Sequence, residues 1–556
     1  MSRFSRILLI ICSSFITAVS VAETQTQLNA IERYVQAEDD SYKWEIHSVI
    51  EGEKVRHVVI DMVSQQWLTD EDIDQTEWRH WIVLTIPDGV TSEIGLMYIG
   101  GGSNLNTDPQ PNPITTQIAM LTNTVVAEIG MIPNQPLVYK SDPQQRPRGE
   151  DDLIGYAWDK YLDSEDPRWL TRGPMVKSVV RGMDTVTAFS GSEEAQLDQP
   201  VAKFVVAGGS KRGWTAWLVA AMDTRVVAVS PIVIDVLSIR KSMNHHFAAY
   251  GFWAPSIGNY VEHGLMRNWD NPRLDKLYEL VDPHSYIDRV KIPKLVLNAA
   301  GDQFFLPDSS QFYWDDLEGP KSLRYVANAN HSLSQSNGFE TLAAFHALVV
   351  NGKPMPEYHW SVTEEGEIRV TADSEPSEVV LWQATNPIAR DFRVVSIGQA
   401  YTQTPLTADE TGTYSGFVPE PEKGWTAYFV ELAWDVGLPT PLRLSTEVVV
   451  TPNILPYQDK PSNLPNSITL ICTVPSEQVK SALLQAIENL EDSSFAKEGI
   501  HTQEWGDRIY INWTPADLFQ RGFFEMAGLL EASGCTSRNY HFESGPEITV
   551  PPLSPE

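Results

Sequence analysis

The run Val205-Val206-Ala207-Gly208-Gly209-Ser210-Lys211-Arg212-Gly213-Trp214 constrains this chain more than any other stretch. Apolar residues end in two glycines, a single serine follows, and the chain passes at once into a helix-like segment. A buried strand that gives way directly to a helix leaves one residue on the bend. That side chain projects from the backbone beside the unpaired N–H groups of the helix start. A serine there is a candidate nucleophile, and glycines on either side let strand and helix approach without Cβ clashes. The common form of this turn has glycine two residues after the serine. Here Arg212 holds that place and glycine comes one later, at Gly213.

A serine needs a base and an acid, and both are expected downstream in the order Ser, Asp, His. Ile292–Asn298 reads as a short buried strand that leads to Ala299-Ala300-Gly301-Asp302, so Asp302 is predicted just past a strand's carboxyl end. Leu323–Val326 reads as a further strand before Ala327-Asn328-Ala329-Asn330-His331-Ser332, with an apolar-periodic helix expected from Leu333 onward. Ser210, Asp302 and His331 converge if those strands are neighbours in one parallel sheet. Asp308 and Asp235 are the rival acids. His245, His246, His263, His284 and His346 are the rival bases, but none combines a strand before it with a helix after it.

An oxyanion hole requires backbone N–H groups beside the nucleophile. Ile94–Ile99 reads as a strand running into Gly100-Gly101-Gly102-Ser103, which makes Gly101 and Gly102 candidate donors together with the amide of Lys211. The side chains of Lys211 and Arg212 oppose the macrodipole of the helix they open. They call for either an anionic substrate group or a nearby carboxylate. Arg212, Asp235 and Trp214, all close to the predicted strand ends, are the candidate substrate-binding residues.

Arg3 and Arg6 precede an apolar stretch that continues to Val19, and Ser20-Val21-Ala22 offers small residues at cleavage spacing. This predicts a secretory leader over residues 1–22 and a periplasmic or secreted protein. No other apolar run reaches the roughly 18 residues of a membrane span. The net charge of −32 argues against nucleic-acid binding. Of three cysteines, Cys12 leaves with the leader, and in an oxidising compartment Cys472 and Cys535 are expected to be bridged. No metal site and no cofactor is predicted.

Three parts are expected. Residues 37–350 alternate strand and helix patterns, including Met175, Val179, Met183 and Val186 at helical spacing, and predict an α/β doubly wound, mostly parallel sheet. Aromatic-rich stretches around Trp158 and from Phe247 to Tyr278 are expected to form a cap. Residues 354–451 show short alternating runs between turn clusters, the pattern of an immunoglobulin-like β-sandwich. Residues 461–556 read as a small α+β module: strand Ile468 to Cys472, helix Ser476 to Glu491, strand Ile509 to Trp513 and helix Pro515 to Ser533.

Tyr98–Ser103, Tyr156-Ala157-Trp158-Asp159-Lys160-Tyr161-Leu162, Pro174–Ser178, Gly209–Trp214 and Ala299–Phe304, together with the leader, resemble the PhoPQ-activated pathogenicity-related family over about residues 37–451. The resemblance implies an α/β-hydrolase fold with a trailing sandwich domain in secreted or periplasmic bacterial proteins, linked to virulence and to resistance against cationic antimicrobial peptides. The nucleophile loop is also similar to that of glucuronoyl esterases, where glycine likewise falls three residues after the serine. The residues therefore predict a serine hydrolase acting on a small-molecule ester. The alternatives are a peptidase of prolyl-oligopeptidase type acting on small peptides, and a binding scaffold without catalysis.

Overall fold

A computed structural model describes residues 28–143, 145–251, 253–266, 269–459, 468–474, 476–488, 500–505, 508–513 and 537–542. The expected leader, the expected helix from Pro515 to Ser533, and Cys535 with its expected bridge lie outside these residues.

The centre is a nine-stranded mixed sheet. Its strands are β1 (Lys43–Glu51), β2 (Val55–Gln66), β3 (Glu77–Pro87), β4 (Ile94–Ile99), β5 (Val126–Ile129), β6 (Lys203–Gly209), β7 (Val226–Ile232), β8 (Lys294–Ala299) and β9 (Lys321–Val326). They are ordered β1-β2-β3-β5-β4-β6-β7-β8-β9. The first three join antiparallel, as does β3 to β5, and every pairing from β5 to β9 is parallel. Parallel strands covered on both faces read as continuous apolar runs. Phe204, Val205, Val206 and Ala207 of β6 are accordingly all buried. Their alternation sends Val205 and Ala207 to one face with Leu96, Val126 and Leu297, and Phe204 and Val206 to the other with Met97, Val229 and Val296.

The helices are α1 (Ala30–Gln36), α2 (Pro113–Thr122), α3 (Glu150–Ser164), α4 (Arg172–Ser190), α5 (Lys211–Met222), α6 (Ile239–Tyr250), α7 (Gly258–Glu262), α8 (Pro272–Val281) and α9 (Gly338–Val350). Met175, Val179, Met183 and Val186 lie on one buried stripe of α4. Truncating the fully buried Met183 to alanine is expected to cost about 2–5 kcal/mol. Ile118 of α2 and Leu342 and Phe345 of α9 cover the opposite face. α1 was not expected, although Asn29 and Glu32 form a reciprocal capping box whose spacing is visible in the sequence.

The helix expected from Leu333 begins instead at Gly338. Leu333 and Gln335 have φ of +52° and +58°, a left-handed conformation that no α-helix accepts. Ser332, Ser334 and Ser336 bind neighbouring loop atoms in place of helical partners.

Two antiparallel sheets follow. One joins β10 (Tyr358–Val362), β11 (Ile368–Ala372) and β14 (Tyr414–Gly416). The other joins β13 (Thr402–Pro405), β12 (Glu378–Asn386), β15 (Trp425–Trp434) and β16 (Leu442–Ser445), with β17 (Val449–Thr451) also on β15. Their apolar core runs without a break into the α9 face of the central sheet. The free edge of that sheet, β9, is capped from this side. Ser445 Oγ accepts from the Tyr325 amide at 2.8 Å, and Tyr358 Oη from the Leu323 amide at 3.2 Å. Arg324 and Glu431 form a buried ion pair at 3.1 Å across the same seam.

Farther on, β18 (Ile468–Thr473), β19 (Ile500–Trp505), β20 (Arg508–Trp513) and β21 (Ser537–Phe542) form an antiparallel sheet ordered β19-β20-β18-β21, with a helix over Glu477–Glu488. β19 and β21 were not read from the sequence. Among the described residues no helix is long and apolar enough to cross a membrane.

Candidate active site

Ser210 stands between β6 and α5 with φ +57° and ψ −127°, a backbone conformation that costs a non-glycine residue roughly 1–3 kcal/mol and persists only where its surroundings enforce it. Its amide donates to Ile232 O at 2.8 Å, and its carbonyl accepts from Trp214 N at 3.0 Å, so the turn is pinned on both sides. The glycines divide the work. A Cβ on Gly208 would lie 2.8 Å from Arg212 O, and one on Gly213 would lie 2.7 Å from Gly208 O and 3.0 Å from Ile232 N. Gly209 has nothing within 4 Å of that position. The displaced glycine is thus the one that lets α5 touch both β6 and β7.

Asp302 lies past β8 and His331 past β9. Asp302 Oδ2 meets His331 Nδ1 at 2.7 Å, while its Oδ1 accepts from Phe304 N at 2.7 Å. Gln303 Oε1 accepts from the His331 amide at 3.1 Å. These contacts fix the imidazole, and the couple leaves His331 Nε2 buried without a hydrogen-bond partner among the described residues. Phe304 packs against His331 in a tilted arrangement, 4.2 Å between ring centres, and also lines a cavity that contains Ser210. No hydrogen bond joins the Ser210 hydroxyl to His331.

The rival acids are engaged elsewhere. Asp235, the residue past β7 that sequence reasoning placed among substrate-binding groups, is 2% exposed and accepts from Tyr313 Oη at 2.6 Å and Tyr325 Oη at 2.5 Å. Burial pushes its carboxyl up to about 7, with Asp302 and Asp308 adding to the shift. Asp308 is also buried, but Arg390 at 2.6 Å and His245 at 3.0 Å hold it well below the usual carboxylate range. The rival histidines have structural partners too. His246 Nε2 accepts from Ala254 N, His263 meets Asp152, His284 meets Asp316 and His346 meets Thr124.

Arg212 also has partners within the protein. Its guanidinium forms a fork with Glu150 at 2.6 and 2.7 Å and donates to Ile132 O. Lys211 Nζ pairs with Glu150 at 2.9 Å and Asp151 at 3.1 Å. Although burial opposes it, Arg212 and Lys211 hold the Glu150 carboxyl down to about 2. Glu150 and Asp151 open α3, where acids suit the dipole, and Lys211 and Arg212 open α5, where bases do not. Bringing the two helix starts together resolves the conflict. The sequence signal was present, since three consecutive acids follow Gly149 as the first turn of a helix.

The glycine turn belongs to the same network. Gly100 O accepts from Ile132 N at 3.2 Å and Gly101 O from Met131 N at 2.7 Å. Gly102 O accepts from Gln135 Nε2 at 3.2 Å. Gly101 lies against the Arg212 guanidinium, which a Cβ would approach to 2.6 Å.

The cavity holds about 600 Å³, its open mouth included. Ser210, Lys211 and Trp214 lie on its wall, and Trp158, Tyr260 and Tyr278 from the aromatic stretches line it as well. Arg172, which sequence reasoning did not single out, stacks on Trp214 at 4.2 Å and donates to Lys211 O at 3.1 Å.

A serine on a strand-to-helix turn at the carboxyl end of a mixed sheet, with an acid–histidine couple after the last two parallel strands, defines an α/β-hydrolase-like protein. Solved structures similar to this chain include an acetyl xylan esterase from Paenibacillus sp. R4, with 15% identity, a TM-score of 0.36 and coverage of 54% of this chain and 86% of that one. They also include acetyl xylan esterase 1 from Thermoanaerobacterium sp. JW/SL YS485, with 14% identity, a TM-score of 0.39 and coverage of 58% and 92%. The model of the family described as PhoPQ-activated pathogenicity-related protein matches residues 31–393, and the chain belongs to that family. A relative from Dictyostelium discoideum, autocrine proliferation repressor protein A, is 34% identical over 457 residues, covering 77% of this chain and 91% of that protein.

Proposed function

We propose that the protein is a serine hydrolase that cleaves carboxylic esters, with Ser210 as nucleophile, His331 as general base and acid, and Asp302 holding the imidazole. The observation that carries this reading is the unpartnered His331 Nε2, with the ring fixed by Asp302 on its other nitrogen and in contact with Phe304, which lines the cavity together with Ser210.

As Ser210 Oγ bonds to the ester carbonyl carbon, its proton passes to His331 Nε2 and the carbonyl π pair moves onto oxygen. Collapse of the adduct expels the alcohol, which takes that proton. Water then repeats the sequence on the acyl-serine and releases the acid. The Lys211 amide at the start of α5, with the amides of Gly101 and Gly102, supplies the oxyanion donors in this reading. The engaged carbonyls of Gly100, Gly101 and Gly102 support it. A peptidase that reads a free α-amine needs unmatched acids, whereas Glu150 and Asp151 are already matched by Lys211 and Arg212. That favours the ester. The same reading takes residues 1–22 as an export leader and the two sheets after α9 as an immunoglobulin-type sandwich.

The test is labelling with a fluorophosphonate probe and location of the adduct by mass spectrometry, with Ser210→Ala as control. An adduct on Ser210 alone is expected; a folded protein that takes none would overturn the reading.

A further inference from the structure

We infer that the group this site holds beside the scissile bond is apolar, an aromatic ring or a medium-length acyl chain, and not a sugar or a uronic acid. The inference rests on the esterase reading for the reaction but not for binding. Ile234, Val236, Ile239 and Met243 line one part of the cavity, and six aromatic side chains, Trp158, Trp214, Tyr260, Tyr278, Phe304 and Phe305, line much of the rest.

Most of the charged groups on the wall are already engaged within the protein. Asp151 accepts from Tyr260 Oη at 2.9 Å and is paired with Lys211 Nζ at 3.1 Å. Arg172 is fully buried, lies on the Trp214 ring and donates to the Lys211 carbonyl. Two N–H groups of wall residues, Trp158 Nε1 and Arg172 Nε, are buried without a hydrogen-bond partner among the described residues.

A sugar ring entering here would exchange water for rings and methyl groups at most of its hydroxyls, and each hydroxyl left unpaired would weaken binding. An apolar group of similar size gains on transfer instead. A cationic group is also disfavoured, because the Arg172 guanidinium already occupies a face of Trp214 and the wall's one carboxylate, Asp151, is paired with Lys211.

The test uses full-length Ser210→Ala protein, so that binding is read without turnover, and calorimetric titration with two neutral methyl esters. Methyl 4-phenylbutyrate is expected to bind at least about tenfold more tightly than the methyl ester of glucuronic acid. Val236→Trp, which fills the cavity, is expected to remove most of that difference, and Met243→Trp, which fills it from α6, provides the same check should the first variant not fold. Equal affinities, or tighter binding of the glucuronate ester, would overturn the inference. Preference for the phenylbutyrate ester in a protein whose Ser210 takes no fluorophosphonate would leave the binding assignment standing and remove only the catalytic one.

Discussion

The side chain of Asn328 and the backbone of Tyr401 exchange two hydrogen bonds, each 2.9 Å long. Asn328 sits three residues before His331 in a left-handed conformation with φ +58°, and Tyr401 lies between β12 and β13. The adjoining segment also reaches the acid loop, where Val394 N donates to Gly301 O at 2.9 Å. Both loops of the acid–histidine couple thus rest on a segment beyond the central sheet. Asn328→Ala is expected to cost roughly 1–3 kcal/mol of stability and to slow fluorophosphonate labelling of Ser210 about tenfold. An unchanged labelling rate in the folded variant would show that His331 needs no such support.

The glycines of the nucleophile turn are not equivalent. Gly213→Ala drives a methyl group against backbone atoms of Gly208 and Ile232, which cannot give way as a flexible side chain can. Overpacking of that kind is expected to cost about 1–3 kcal/mol and to abolish labelling of Ser210. Gly209→Ala meets open space and is expected to label at a rate close to that of the parent. Thermal unfolding and labelling rates of the two variants provide the comparison.

Asp302 and Asp235 differ in what each carboxyl serves. Asp302→Asn is expected to lower the hydrolysis rate by about 10⁴, as where an acid sets the histidine tautomer, and Asp235→Asn by far less. Asp235 carries a pH signature of its own. Its folded pKa, raised from 3.8 to about 7, means that between those values the folded chain keeps a proton that the unfolded chain has lost. Stability from this group is therefore full below about pH 4 and lost as pH rises toward 7. Denaturant unfolding from pH 4 to 8 is expected to show a smaller decline for Asp235→Asn, which mimics the protonated acid.

Buried histidines act with the opposite sign. Burial lowers His346 and His246 from 6.5 to about 3, so the stability each contributes is complete above pH 6.5 and drains away as pH falls toward 3. Each adds a slope of about 1.4 kcal/mol per pH unit within that window. His346→Gln is expected to flatten the acid limb of the stability curve, measured by urea unfolding at pH 7, 6 and 5. A variant whose acid limb keeps the parental slope would remove His346 from the set of groups that must charge on unfolding.

The parts of this site that read from the sequence are those written in consecutive residues. The β6 run, its glycines and Ser210 are local, and so are the strand ends before Asp302 and His331. What was not legible depends on which elements meet. Lys211 and Arg212 called for an anionic substrate group or a nearby carboxylate, and only the meeting of the first turns of α3 and α5 identifies Glu150 and Asp151. Asp235 follows an apolar run as convincingly as Asp302 does, and only the two tyrosine hydroxyls from later segments separate their roles. The start of α9 was misread because apolar periodicity continues through Leu333, while the backbone there is left-handed.

The capping of β9 by Ser445 and Tyr358 bears on how this chain can be handled and inherited. A fragment ending after α9 would expose the Leu323 and Tyr325 amides along an edge strand, a template for addition of strands from other molecules. The segment after α9 therefore occupies the edge that would otherwise accept a further strand. Shortening the chain to its minimal hydrolase is expected to yield aggregates rather than a smaller enzyme.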